Sequence, residues 1–299
     1  MQLAIFLLIV VILAVISALS LKKKYVSIGI PDELFSYMLK EKRKIWVCMP
    51  RRHDELPAGK LYPVVYLLDA EEQFANFTTM IQEVNEADGT RVFPEMIVIG
   101  IPNTNRSRDL TPTKSVYDAR GIKVNDFKKS GGNANFIAFI EKELIPYVAS
   151  KYPVSDNRVL AGHSLGGLTA IDILLHHTIT FDSYIASDPS VWWDDQLIIN
   201  QARVSLLQQR FEGRSLFMGI ANTLPPGIEV EQVRAEVTSE TNHIRSILQL
   251  ADILESNKAN GLNFSYRYYD NYDHAAVASA TWRDALPFVF KEDKLLKAG

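Results

Sequence analysis

The six residues Gly162-His163-Ser164-Leu165-Gly166-Gly167 restrict what this chain can fold into more than any other stretch. Residues 158–161 (RVLA) before them read as a short strand, and 168–177 (LTAIDILLHH) after them read as a helix. A serine at so sharp a strand-to-helix turn takes a strained backbone conformation, and bulk on either flank would collide with the strand or the helix. The return for that strain is an exposed hydroxyl at a helix N-terminus. There the helix dipole and the free N–H of Leu165 can stabilise a tetrahedral oxyanion.

Short β-branched and aromatic runs at 25–30, 45–49, 63–68, 96–101, 159–161, 183–186, 216–220 and 264–269 alternate with longer amphipathic stretches. Several of the runs are continuously apolar (VVYLL, MIVIGI), as strands covered on both faces should be. Helical spacing is clear over 134–151, with Pro146 as an expected kink, and further helices begin near Glu71, Leu165, Asp195, Asn242 and Ala276. The pattern predicts an α/β fold: a mostly parallel central sheet with helices on both faces, opened by two antiparallel N-terminal strands. No linker or repeat interrupts residues 25–292, which read as one domain.

A serine hydroxyl needs a base within hydrogen-bond reach to act as a nucleophile. With a nucleophile elbow the chain order is serine, acid, histidine, and the base follows the last strand. His53 and His163 precede Ser164, His176 and His177 point away along the elbow helix, and His243 reads as a surface or capping residue in the first turn of a helix. His274, in 270–274 (DNYDH) between a strand and the C-terminal helix, occupies the expected place. No His/Asp/Glu spacing suggests a metal centre, and no cofactor is required. With 32 Lys+Arg against 35 Asp+Glu, a net charge of −3 leaves no footprint for nucleic acid. The one cysteine, Cys48, excludes an internal disulfide and reads as a core thiol.

The blocks 62–69 (YPVVYLLD), 99–112 (IGIPNTNRSRDLTP), 130–148 (SGGNANFIAFIEKELIPYV), 158–168 (RVLAGHSLGGL) and 187–194 (SDPSVWWD) resemble the Putative esterase family of α/β-hydrolases. That family includes siderophore trilactone esterases, esterase D-like enzymes and feruloyl or acetyl-carbohydrate esterases. The likeness runs from about residue 25 to 292, and most resembles the branch with periplasmic enterobactin esterase. It implies the α/β-hydrolase fold, Ser164 as nucleophile, His274 as base, and an oxyanion hole from the N–H groups of Leu165 and Glu71. The acid departs from the family pattern: where it usually follows the strand at 215–220, residues 221–227 (ANTLPPG) hold no carboxylate. The charged insertion behind them offers Glu229, Glu231, Glu236 and Glu240. Glu240 is the expected acid, and a Ser–His dyad without one is the alternative. Arg106 and, less so, Arg108 are candidate ligands for an anionic substrate, and Trp192 and Trp193 for an aromatic wall, although one of two adjacent tryptophans usually packs in the core. Asp188 reads as a turn residue before Pro189, and 194–195 as a helix cap.

The expected activity is hydrolysis of a small-molecule carboxylic ester, siderophore or carbohydrate, with a non-catalytic binding protein at a membrane as the rival. Residues 1–20 (MQLAIFLLIVVILAVISALS) carry no charge and precede Lys22, Lys23 and Lys24. They are expected to be a signal peptide or a membrane anchor, which puts the domain outside the cytoplasm or on a membrane.

Overall fold

In the computed structural model, residues 29–50, 57–84 and 92–291 are described. The β-branched and aromatic runs become strands β1 (Ile30–Ser36), β2 (Glu41–Cys48), β3 (Tyr62–Leu68), β4 (Ile97–Ile101), β5 (Val154–His163), β6 (Ser183–Ser187), β7 (Ser215–Ala221) and β8 (Asn263–Tyr269). They form one sheet in the order β1-β2-β4-β3-β5-β6-β7-β8. β2 pairs antiparallel with both β1 and β4, and the pairs from β4 through β8 are parallel. The run at 25–30 falls almost wholly outside the described residues, and the first described strand is IPDELFS, an edge strand that exposes Ile30, Pro31, Glu33 and Phe35 and buries Ser36. The expected segment at 1–20 and His53 also lie outside the described residues. Among the described residues no helix is long and apolar enough to cross a membrane.

Helices α1 (Ala70–Val84), α2 (Arg106–Asp109), α3 (Asn133–Phe139), α4 (Ile145–Lys151), α5 (Leu165–His176), α6 (Trp193–Gln208) and α7 (Asn242–Ser256) lie between the strands, and α8 (Val277–Val289) follows the last of them. The period-2 alternation of the strands sorts the core into two layers. Val65, Leu67, Val98, Val159 and Ala161 face α1 and α8, with Phe74, Phe77 and Trp282 packed among them. Val64, Tyr66, Leu68, Leu160 and Met218 face the other side, against apolar residues of α3 and α5 to α7. Each Val, Leu, Phe or Met among them, taken fully out of water, contributes about 1.5–3 kcal/mol. Together these layers make the α/β-hydrolase fold.

Between α3 and α4 the chain makes a π-helical turn, Ile140–Leu144, and Pro146 stands in the first turn of α4. The proline has no N–H for the ladder and its ring crowds the carbonyl four residues back, so the widened turn sits where the sequence placed a kink.

Candidate functional site

β5 ends at His163 and α5 begins at Leu165, which leaves Ser164 alone at the junction with φ 58 and ψ −115. This left-handed conformation is held from both sides. The Ser164 N–H donates to the Ser187 carbonyl at 2.9 Å, and its own carbonyl accepts from the Leu168 and Ser190 amides at 3.0 Å. The elbow is too tight for a side chain at Gly162, where a Cβ would stand 2.3 Å from the Gly166 backbone.

His274 lies in the turn segment between β8 and α8. Its Nε2 is 3.1 Å from Ser164 Oγ and its Nδ1 is 2.5 Å from Asp188 Oδ2. Asp188 directly follows β6 and is fully buried. Its Oδ1 accepts the Ala221 N–H at 2.9 Å, and Oδ2 also lies 2.8 Å from Nε2 of His243. Burial alone would raise this carboxyl, but the charges and donors of His243 and His274 outweigh it and hold it well below the usual carboxylate range. An ionised carboxylate only accepts, so His274 carries its proton on Nδ1 and offers the Nε2 lone pair to the Ser164 hydroxyl. Ser190 Oγ, 3.2 Å from Ser164 Oγ, then donates to it.

His163 fastens the base from below. Its Nε2 lies 2.7 Å from the His274 carbonyl, which can only accept, so Nε2 bears the proton. Burial, and after it repulsion from His274 whenever that ring is protonated, push His163 down to about 4, so it is neutral at ordinary pH. Asn222, at the end of β7, adds a donated bond to the Tyr272 carbonyl at 2.8 Å and another to that of Asp270 at 2.9 Å.

Leu165 opens α5 and Glu71 lies in the first turn of α1. First-turn amides have no acceptor within their own helix. The Asp69 carbonyl already accepts from Glu72 and Gln73, which leaves the Ala70 and Glu71 N–H groups ahead of that ladder. The Glu71 carboxylate accepts from the Asn103 backbone and side chain at 3.1 and 2.7 Å. β3 and β5 are parallel neighbours, so the two helix N-termini start from the same edge of the sheet.

Several sequence expectations are corrected here. Glu240 is exposed in the turn before α7, and the carboxylate on His274 Nδ1 is Asp188. The signal that could have found it is a carboxylate at the carboxyl end of the strand beside the elbow strand, inside the block SDPSVWWD. Trp193 is not part of a substrate wall: it is buried, packs edge-on against Phe127 and donates Nε1 to the Thr113 carbonyl at 3.3 Å. Arg106 is not a free anion ligand, because Nε and Nη2 both donate to Asp69, at 2.8 and 2.9 Å. Burial works against its charge, but Asp69 keeps the guanidinium above its ordinary value. Arg108 is tied to Glu41 and Asp109. His243, read as a surface residue, and Ser190, not singled out, both join the site. Cys48 is pushed up to about 11 by burial, which keeps it a thiol.

Two cavities have lining residues close in sequence to those of the site, Trp192 and Asn242 in one and Leu165 of the elbow in the other. One of about 770 Å³ is lined by Trp192, Asn242, the loop from Lys114 to Gly121 and the turn Asp194–Asp195–Gln196. That turn has three consecutive left-handed residues, with φ of 48, 52 and 62, an arrangement that costs about 1–2 kcal/mol per residue. The other, of about 590 Å³, is lined by Leu165, Arg106, Phe127 and Lys128 among others.

Asp188, His243 and His274 bring three potential metal-ligating atoms within 4.8 Å of one another. Their N···O separations of 2.5 and 2.8 Å are hydrogen-bond lengths. Ligand atoms around a tetrahedral zinc ion stand about 3.3 Å apart. The arrangement suits proton transfer: a hydroxyl that can lose its proton to an imidazole, a buried carboxylate behind that imidazole, and amide donors beside the hydroxyl.

A family model described as Putative esterase matches residues 36–288. The ferri-bacillibactin esterase BesA of Bacillus subtilis is 34% identical over 154 residues, 48% of this chain and 53% of that protein. A siderophore enterobactin esterase of Emericella nidulans is 34% identical over 157 residues, 49% of this chain and 52% of that one. The matches thus span about half the length of these curated relatives. Among solved structures, an IroE-like serine hydrolase from Shewanella oneidensis has a TM-score of 0.78 at 33% identity, covering 88% of this chain and 80% of that one.

Proposed function

Because this chain belongs to the Putative esterase family, and its elbow serine, an imidazole and a buried carboxylate stand in hydrogen-bonded sequence, we propose that it is a serine hydrolase cleaving carboxylic esters. The observation that carries this reading is the line Ser164 Oγ, His274 Nε2, His274 Nδ1, Asp188 Oδ2, at 3.1 and 2.5 Å across its two gaps. Ser164 Oγ attacks the ester carbonyl carbon as His274 Nε2 takes its proton, and Asp188 stabilises the imidazolium that forms. The Leu165 and Glu71 amides stabilise the tetrahedral oxyanion, each such donor contributing on the order of 10²–10³ in rate. Collapse breaks the carbon–oxygen bond to the alcohol, which leaves with the proton from His274. Water then attacks the acyl-enzyme, gives its proton to His274 and releases the acid and Ser164.

The substrate class we favour is a siderophore ester, supported by the likeness to the ferri-bacillibactin and enterobactin esterases. A feruloylated or acetylated carbohydrate is the second reading, favoured by Trp192 on the larger cavity, an aromatic face on which a sugar ring can stack. The apolar run 1–20 supports export or membrane attachment. Cell fractionation with N-terminal sequencing of the mature protein tests that part.

The decisive experiment is labelling by a fluorophosphonate probe. Stoichiometric reaction is expected in the wild type, none in Ser164→Ala and weak reaction in His274→Ala. An unlabelled wild type overturns the enzymatic reading in favour of a binding protein. Turnover of p-nitrophenyl acetate, a feruloylated sugar and ferric enterobactin then ranks the substrate classes.

A further inference from the structure

His243 takes no part in the proton path above, yet it is the second donor on the oxygen that receives His274. Its Nε2 lies 2.8 Å from Asp188 Oδ2, against 2.5 Å for His274 Nδ1. The two rings stand 5.1 Å apart at an interplanar angle of 89°, so their N–H groups approach that oxygen from different directions. Oδ1 is occupied by the Ala221 amide. A buried carboxylate must find its donors within the protein, and these three donors fix its rotation: Ala221 holds one oxygen while the two imidazoles hold the other.

His243 is the second residue of α7, a helix seated on the core through Ile244, Ile247 and Leu248. Asn242 beside it donates to the Ala119 carbonyl at 2.7 Å, which ties the same helix start to the loop lining the larger cavity. The imidazole is therefore presented by a rigid element. The charge on His243 is the foremost influence that keeps the Asp188 carboxyl low against its burial.

We propose that His243 is a positioning residue of this site: its Nε2–H locks the Asp188 carboxylate in the orientation that receives His274 Nδ1–H. The inference rests on the serine-esterase reading for its effect on rate, and on geometry alone for its effect on the His274–Asp188 hydrogen bond. Loss of the donor lets the carboxylate turn about its Cβ–Cγ bond, so the imidazolium formed during attack meets a less well-aimed counter-charge. Substrate contacts are untouched, so the loss falls on kcat and not on KM.

The test compares H243L, H243N and H243Q in the full chain on a p-nitrophenyl ester, and follows the downfield His274 Nδ1–H proton resonance by NMR in S164A with and without H243L. A hydrogen bond to a charged partner is at stake, so H243L is expected to lower kcat roughly tenfold or more with KM unchanged. Gln can reach Asp188 and is expected to stay within about threefold of the wild type, while the shorter Asn falls with Leu. In S164A the resonance is expected to move upfield on H243L as the His274–Asp188 bond lengthens. Wild-type kcat in H243L, or equal rates in H243N and H243Q, overturns the proposal. So does an unmoved resonance, which is read without turnover and stands even if the wild type proves inactive on esters. Should H243L not fold, the Asn and Gln pair decides.

Discussion

At Asp188 the backbone is left-handed, with φ 42, while the side chain is fully buried under two imidazoles and an amide. An aspartate before proline has a ready local explanation as a turn former, and here that explanation is also true. Its second duty depends on β6 lying beside β5, a neighbour relation that no local spacing encodes. Glu240, by contrast, has a suitable chain separation from His274 and an exposed side chain. Asp188→Asn is therefore expected to reduce kcat on the order of 10³–10⁴, because the amide supports the wrong imidazole tautomer. Glu240→Gln is expected to leave it within about twofold, since exposed substitutions away from the site do little. His163 sets a pH dependence of stability. Its value is about 4 in the fold against an ordinary 6.5, so between those limits the unfolded chain binds a proton that the folded chain does not. Stability then rises with pH across this window and falls as pH drops from 6.5 towards 4, by about 3 kcal/mol for the whole interval. Urea titrations at several pH values should show this slope in the wild type and a flatter one in His163→Gln.

Among the elements, the elbow was legible because its steric demand is local: β5, Ser164 and α5 are contiguous, and the glycines record how closely they pack. Gly162→Ala would force a methyl group to 2.3 Å from the Gly166 backbone. It is expected to abolish probe labelling at Ser164 even where the protein remains soluble, checked by labelling beside circular dichroism. The segment that carries Arg106 is held otherwise. Arg43, fully buried on β2, pairs with Asp109 at 2.6 Å, and Arg108 bridges Asp109 and Glu41. Chain adjacency makes the Arg108–Asp109 contact easy to anticipate, whereas the Arg43 partner of Asp109 lies 66 residues away. Asp109→Asn leaves a buried guanidinium without its main counter-charge. It is expected to cost about 3–5 kcal/mol, measured by denaturant unfolding.

Over the whole molecule, chemistry collects at one edge of the sheet. Asp69 follows β3, Ser164 follows β5, Asp188 follows β6, Asn222 follows β7 and His274 follows β8. Parallel strands deliver their carboxyl ends to the same side, which is why the alternation of strands and helices already implied where the site would lie. It did not reveal which of two tryptophans faces solvent, because that depends on how the turn after Val191 twists. Trp192→Ala is expected to raise KM for a bulky aromatic or sugar ester about tenfold and leave p-nitrophenyl acetate nearly unchanged, measured by steady-state kinetics. One contact at this edge reaches further than its size suggests. His163 is bonded covalently to Ser164 and hydrogen-bonded to the His274 carbonyl at 2.7 Å. A single side chain thus serves as the gauge between the two reacting groups. The turn that carries His274 can change its outward residues, and with them its substrate contacts, so long as that carbonyl stays on the gauge; a change at 163 misaligns both partners in one step.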